Sequence, residues 1–395
     1  MTLLGNQRDA RLHVLTLTPF FPSDRNEVSG CFVAEPLEEF KEFGVDSTVI
    51  AVSPIYHPRK RSIRSAPAEW VRYPQPPGTL GLSSAGKLLY MRLLRRIQKL
   101  HKVRPIDVIH AHAALPGGHA AALISKRLNI PFVVTVHGLD VFNNCSLSGI
   151  PAGWRRDVSA EVYRAARCVI CISARVQETL KIGMEARTCS TVVYNGVNPV
   201  LFSPAQPNSV ETRYEILVIG TLLQSKGHEL VLRALGSLKP SLPQIRCRII
   251  GEGPQRAEFE ALASELRLGN QVRFIGRQSR SEVAEAMRCC SVFVLPSRNE
   301  GLGCVYLEAM ACGKPVIACS GQGIAEVIEH GKNGWLIPVD GLGQLIQGIS
   351  SLLTSPELRG RIGTAARQTI LEKLTLSHQA QNLITIYRQV CLGTT

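Results

Sequence analysis

Short, continuous apolar runs alternate along the chain with longer stretches whose apolar residues recur every three to four positions. A continuous run suits a strand covered on both faces, and a period near 3.6 suits a helix with one buried side. In the first half the runs are LHVLTLT (12–18), STVIAV (47–52), DVIHAH (107–112), FVVTVH (132–137) and CVICIS (168–173). Helices are expected near 34–43, 86–101, 117–128, 155–166 and 174–182. Pro199, Pro204 and Pro207 punctuate a linker at 199–213, and the alternation then restarts. Its strands are EILVIG (215–220), CRIIG (247–251), VRFIG (272–276), SVFVLPS (291–297) and PVIACS (315–320), with helices near 228–238, 254–267, 281–288 and 303–312. Such alternation builds parallel sheets. The expected fold class is α/β: two Rossmann-like doubly wound domains, 1–198 and 214–375, facing across a cleft. In the last segment, 376–395, Leu383, Tyr387 and Val390 stand at helical spacing. It reads as an amphipathic terminal helix able to pack back on the first domain.

Composition narrows the class. The 395 residues suffice for two cores, and 45% hydrophobic with 19% charged residues excludes a largely disordered chain. No apolar run approaches the ~18 residues of a membrane-spanning helix. The opening MTLLGNQRDARLHVLTL carries Arg8, Asp9 and Arg11 ahead of its first apolar run. It reads as a polar leader rather than a signal peptide. The twelve cysteines are scattered. Cys168 and Cys171 have CxxC spacing inside a strand-like run with no second pair, which favours buried thiols over metal or redox chemistry. The expected location is cytoplasmic.

Charge adds a second theme. The net charge is +14, and between Arg59 and Arg104 basic residues crowd together with Glu69 as the one acid. One reading is an ordinary solvated helix surface. The other is a patch for an anionic membrane, on the inner face of the cell membrane. There Leu88, Leu89, Leu93, Leu94, Ile97 and Leu100 would supply an interfacial apolar face. Nucleic acid is disfavoured as a partner, because aromatics make up only 6% and do not interleave with the basic residues.

Ligands of parallel sheets bind beyond the carboxyl ends of the strands, near helix N-termini. The densest chemistry there is PSRNEGLGCVYLEAMACGKPVIA (296–318). A strand ends at Pro296, a loop carries Glu300, and a helix containing Glu308 begins near Gly303. The loop and helix start at Gly301, Leu302, Gly303, Cys304 and Val305 offer main-chain N–H groups to phosphate. Carboxylates beside phosphate are better suited to neutral hydroxyls, so Glu300 and Glu308 are candidates for sugar and ribose. The plain alternative is a helix cap and a solvent-facing glutamate. In EILVIGTLLQSKGHELVLRAL (215–235), Gly220, Thr221 and Lys226 follow a strand, where a lysine can reach an anion. In VVTVHGLD (133–140), His137 follows a strand, a position where a structural histidine is also common. His112 ends another strand before Pro116, and His110 is expected on its opposite face.

The stretch 296–318 closely resembles the retaining glycosyltransferases of family 4, whose signature is two glutamates eight positions apart in "EG-G---LEAMA-G-PVIA". DVIHAHAALPGGHAAALISKRLNIPFVVTVHGLDV is similar to that family's first domain. The resemblance covers about residues 12 to 340 and is strongest in 107–140 and 291–318. It implies a GT-B fold and a nucleotide-sugar donor as substrate. Glu300 would then lie on the donor sugar, Glu308 on the ribose, His137 against the sugar, and Lys226 on the diphosphate. The family usually shows "GRL----KG"; Thr221 stands where its arginine would be, which removes one charge from the leaving-group site. Gly30, in SDRNEVSGCFVAEPLEEFKEFGVD (23–46), corresponds to the family's acceptor-side glycine loop, in a variant resembling makers of bacterial surface polysaccharides. Pro36 nearby predicts a helix starting near Glu35. Asn195 and Gly196, in VVYNGVN (192–198), correspond to cleft-lining positions, and Glu326 to a structural one.

No Asp-x-Asp motif appears, so no metal and no separate cofactor are expected. The expected function is retaining transfer of a sugar from a nucleotide diphosphate sugar to a glycan or lipid-linked acceptor. The alternatives are a catalytically impaired homologue or a binding protein of the same fold.

Overall fold

The computed structural model describes residues 11–63, 65–75, 81–138, 141–142, 150–184, 189–205 and 214–393. The leader up to residue 10 and the linker positions 206–213 lie outside these, as do Leu139 and Asp140. The described chain divides into two units. The first draws on the chain up to Cys171, on Gln177–Val193 and on the segment from Ala380; the second holds Ile172–Val176 and Tyr194–Gln379.

The first unit is built on seven parallel strands: β1 (Leu12–Thr18), β2 (Val45–Pro54), β3 (Glu69–Tyr73), β4 (Val108–His112), β5 (Phe132–Val136), β6 (Cys168–Cys171) and β7 (Ser190–Val192). Their order is β3-β2-β1-β4-β5-β6-β7. Its helices are α1 (Cys31–Phe40), α2 (Leu82–Val103), α3 (His119–Leu128), α4 (Ile150–Ala165) and most of α5 (Ala174–Met184). The strands β1, β4 and β5 are buried almost throughout, which is why they read as unbroken apolar runs.

The second unit has six strands: β8 (Glu215–Ile219), β9 (Arg246–Ile250), β10 (Val272–Gly276), β11 (Val292–Leu295), β12 (Val316–Cys319) and β13 (Trp335–Ile337). Their order is β10-β9-β8-β11-β12-β13. Between and after them come α6 (His228–Leu238), α7 (Arg256–Glu265), α8 (Arg280–Cys289), α9 (Cys304–Ala311), α10 (Leu342–Thr354) and α11 (Pro356–Lys373). In each sheet the strand order reverses once, between β1 and β4 and between β8 and β11. The loops at those reversals are the ones that carry Gly30, Lys226 and Glu300.

The last helix, α12 (Leu376–Leu392), starts in the second unit and finishes in the first. Leu383, Tyr387 and Val390 join Val14, Val108, Val133 and Phe40 in one core cluster. Tyr387 is fully buried, edge-on to Phe40 with ring centroids 5.9 Å apart.

Three expectations are corrected. Helix α1 begins at Cys31, not near Glu35, so Pro36 sits in its interior. Gly30 at φ 77° starts the helix early, and the chain accepts the hydrogen bond that Pro36 cannot donate as lost. His110 does not face away from His112: residues two apart on a strand share a face, and the two rings lie 4.3 Å apart. The apolar stripe of α2 is not a free interfacial face, because Leu89, Leu93 and Ile97 are fully buried in the core. The exposed side of α2 is basic, with Lys87, Arg92, Arg95 and Lys102, and Met91 among them.

Candidate functional site

In the first unit, Gly30, His112 and His137 come together. Gly30 packs so closely on the main chain after β1 that a Cβ there would stand 2.3 Å from the Phe20 carbonyl carbon. This fixes the loop between β1 and α1 and sets two aromatic rings around His137. Phe32 lies 4.8 Å and Phe20 5.8 Å from it, centroid to centroid. His112 stacks on the remaining side, and its Nδ1 shares a proton with His137 Nε2 at 3.0 Å. His110 continues the chain beneath: its ring nitrogens meet Thr135 Oγ1 at 2.7 Å and the Tyr387 hydroxyl at 2.6 Å. Burial lowers all three histidines from their ordinary range, His110 and His137 to about 3. They are neutral rings near pH 7, suited to hydrogen bonding rather than to carrying charge.

In the second unit, the loops after β8 and β11 meet. Lys226 Nζ lies 2.5 Å from Glu300 Oε2, both side chains largely screened from solvent. Gly227, at φ 76°, makes the approach possible, since a Cβ there would stand 2.2 Å from the Pro296 carbonyl oxygen. His228 anchors the same loop: it is fully buried, and its Nε2 meets the Thr221 carbonyl at 3.1 Å. Burial lowers it to about 4. Gly220 continues the strand pairing to Ile250, and the Thr221 side chain is exposed.

The Glu300 loop is braced from behind. Gln322 Oε1 accepts from the Glu300 N–H at 3.0 Å, and Gly323 N–H donates to the Glu300 carbonyl at 3.2 Å. Ser173 Oγ donates to the Gly301 carbonyl at 2.6 Å. Gly303, at φ 81°, is the N-cap of α9, and Tyr306 on its first turns donates to the Leu295 carbonyl at 2.7 Å. The start of α9 is therefore fixed against the end of β11, with Cys304 and Val305 half-buried on it. Leu302 is fully buried, so its side chain belongs to the core and only its main chain is open to a ligand role.

Glu308 lies one turn further along α9 and is 3% exposed. It is not a solvent-facing glutamate: Arg280 at the start of α8 pairs with its Oε1. Asn195 Nδ2 reaches Cys304 Sγ at 3.3 Å, and Gly196 N–H donates to Gln379 Oε1 at 2.8 Å. Both belong to the second unit, Asn195 beside the start of α9 and Gly196 against the start of α12. Glu326 accepts from the N–H groups of Ala174 and Arg175, each at 2.7 Å, and from the Tyr194 hydroxyl at 2.9 Å. That is a structural use of a carboxylate at a helix start.

Sequence reasoning did not single out His228, Gln322, Arg280 or the two phenylalanines. Only Arg280 had a readable signal. Ser279 and Glu282 are spaced as a capping box, which forms and fixes Arg280 as the first residue of α8. Among the described residues no three His, Cys, Asp or Glu side chains gather as a metal site, and every cysteine is a free thiol.

Comparison with known proteins shows the family and the fold. Residues 201–369 match the group 1 glycosyl transferases, and residues 32–201 match Glycosyltransferase Family 4. An uncharacterized glycosyltransferase of Methanocaldococcus jannaschii is 32% identical over 266 residues, covering 67% of this chain and 70% of that protein. Among solved structures, sucrose-phosphate synthase from Thermosynechococcus elongatus superposes with a TM-score of 0.77 at 21% identity, over 97% of this chain and 100% of that one. HepE from Anabaena, solved with UDP, gives 0.76 at 19% identity over 96% and 100%. The strand orders, the paired glutamates on and before α9, and these matches together make the chain a glycosyltransferase of the GT-B fold, belonging to glycosyltransferase family 4.

Proposed function

We propose that the protein transfers a sugar from a nucleotide diphosphate sugar to a glycan or lipid-linked acceptor, with retention and without a metal ion, in the synthesis of a cell-surface polysaccharide. The observation that carries the reading is the Lys226–Glu300 contact at the carboxyl ends of β8 and β11, beside the fixed start of α9. One cation, one carboxylate and one helix N-terminus at a single sheet edge match the three needs of a sugar diphosphate.

Cleavage of the bond between the anomeric carbon and the diphosphate leaves negative charge on phosphate oxygen. Lys226, the Thr221 hydroxyl and the main-chain N–H groups at 303–305 stabilise that charge, work that a divalent ion does elsewhere. Glu300 accepts hydrogen bonds from sugar hydroxyls, and Glu308 from the ribose. The acceptor hydroxyl attacks the same face of the anomeric carbon that the phosphate leaves, and the departing phosphate oxygen takes its proton. His137, neutral and walled by Phe20, Phe32 and His112, orients the sugar.

The test is release of nucleoside diphosphate from a panel of nucleotide sugars, in chelator, with and without membrane lipid extract. One donor should turn over, faster with extract, and Glu300→Gln should lose about tenfold or more in rate, the scale of a hydrogen bond to a charged group. Near-normal turnover by Glu300→Gln would sink the assigned role. Silence across the panel would favour a binding protein or an impaired relative, a reading that the exposed Thr221 in place of arginine already invites.

A further inference from the structure

Glu308 has two oxygens in unlike settings. Oε1 is paired with Arg280 Nη1. Oε2 is buried and has no hydrogen-bond partner among the described residues. A buried, bare carboxylate oxygen is costly unless a donor group reaches it. The cation that balances the other oxygen is itself held firmly. Arg280 opens α8 behind the Ser279 capping box, and its guanidinium lies over the Phe202 ring, 4.7 Å from the centroid. Phe202 is fully buried. A planar guanidinium fixed at its helix start and on a ring sets the rotation of the carboxylate it binds.

We infer that Arg280 is a positioning residue for the donor nucleoside: by holding Oε1 it fixes the rotation of the Glu308 carboxylate and leaves Oε2 as the acceptor for ribose hydroxyls. This rests on the assignment of Glu308 to the ribose made above. Arg280 touches no part of the donor in this arrangement; it acts through the carboxylate. Its loss therefore weakens recognition of the ribose and leaves recognition of base and diphosphate in place.

The experiment uses the full chain and measures binding of UDP, GDP and ADP, each against its 2′,3′-dideoxy counterpart, by titration calorimetry. The unaltered protein should prefer one ribonucleotide over its dideoxy form by at least about tenfold, the scale of a hydrogen bond to a charged group. Arg280→Met, which keeps an unbranched side chain but removes the guanidinium, should reduce that preference to about twofold or less, as Glu308→Gln should. The double variant should fall no further. Arg280→Lys retains the charge and serves if the methionine variant does not fold; it should keep a preference reduced about threefold. A variant that weakens the ribo and dideoxy forms equally has lost only a structural ion pair, which overturns the inference. An unaltered protein with no ribo preference, or with no binding of any of the three, instead overturns the Glu308 assignment itself.

Discussion

At the scale of single residues, the proposed mechanism makes position 221 one that sets how strongly the leaving phosphate is held. The family's usual arginine is a threonine here, exposed at the end of β8, while Lys226 is drawn against Glu300. Under the proposed mechanism one cation would serve two anions, the carboxylate and the incoming diphosphate. Thr221→Arg should tighten binding of the preferred nucleoside diphosphate by about tenfold, the value of one added charge-assisted hydrogen bond, as read by calorimetry. An unchanged affinity would place the phosphates away from β8. The residues proposed for this chemistry stand out in the sequence because they are polar groups directly after apolar runs. Those that brace them do not. His228 and Gln322 look like ordinary helix and loop residues, and only the three-dimensional approach of Thr221 and Glu300 gives them work.

At the scale of elements, the ten strands expected from apolar runs are all present within a residue or three of their expected ends. The strands that escaped are β3, β7 and β13, which are short, outer and only partly buried, so they carry no unbroken apolar run. The misplacement of His110 had a different origin, a slip in the period of a strand, and it matters for stability. β4 brings His110 and His112 together in the core, under α12 and against β5. Burial, with His137 adding to it, holds His110 at about 3, and burial holds His112 well below its usual range. Unfolded, both would titrate near 6.5. Between those values the unfolded chain binds protons that the folded chain does not, so stability is complete above pH about 6.5 and declines as pH falls toward 3. Each ring adds up to about 1.4 kcal/mol per pH unit to that slope. His110→Gln, which can still bond Thr135 and Tyr387, should flatten the dependence of the urea midpoint between pH 7 and 4.5. An unaltered slope would mean that His110 does not refuse the proton.

At the scale of the whole molecule, charge and hydrophobicity part company. No helix of the described residues is long and apolar enough to cross a membrane. Helix α2 buries Leu89, Leu93 and Ile97 in the core and shows solvent a basic face, and Ile55 and Tyr56 stand exposed beside the basic loop that follows β2. We propose that this face meets anionic lipid through charge, with only the few exposed apolar side chains entering the interface. Co-sedimentation with vesicles containing anionic lipid should therefore be nearly complete at low salt and lost by a few hundred millimolar. Binding that persists at high salt would require an apolar insertion that α2 does not provide, and no binding at low salt would remove the membrane role.

The shared helix α12 also sets the order in which the protein can be made. The ribosome delivers the first unit's strands early, yet Leu383, Tyr387 and Val390, which close the core over β1, β4 and β5, come only after every strand of the second unit. Domains generally fold in the order they are synthesised. Here the second unit has every strand in hand while the first still lacks its closing helix, so the nascent first sheet must wait with an apolar face uncovered. A chain stalled or cut before Ala380 would carry that uncovered face permanently, a natural mark by which chaperones and proteases could tell an unfinished copy from a finished one.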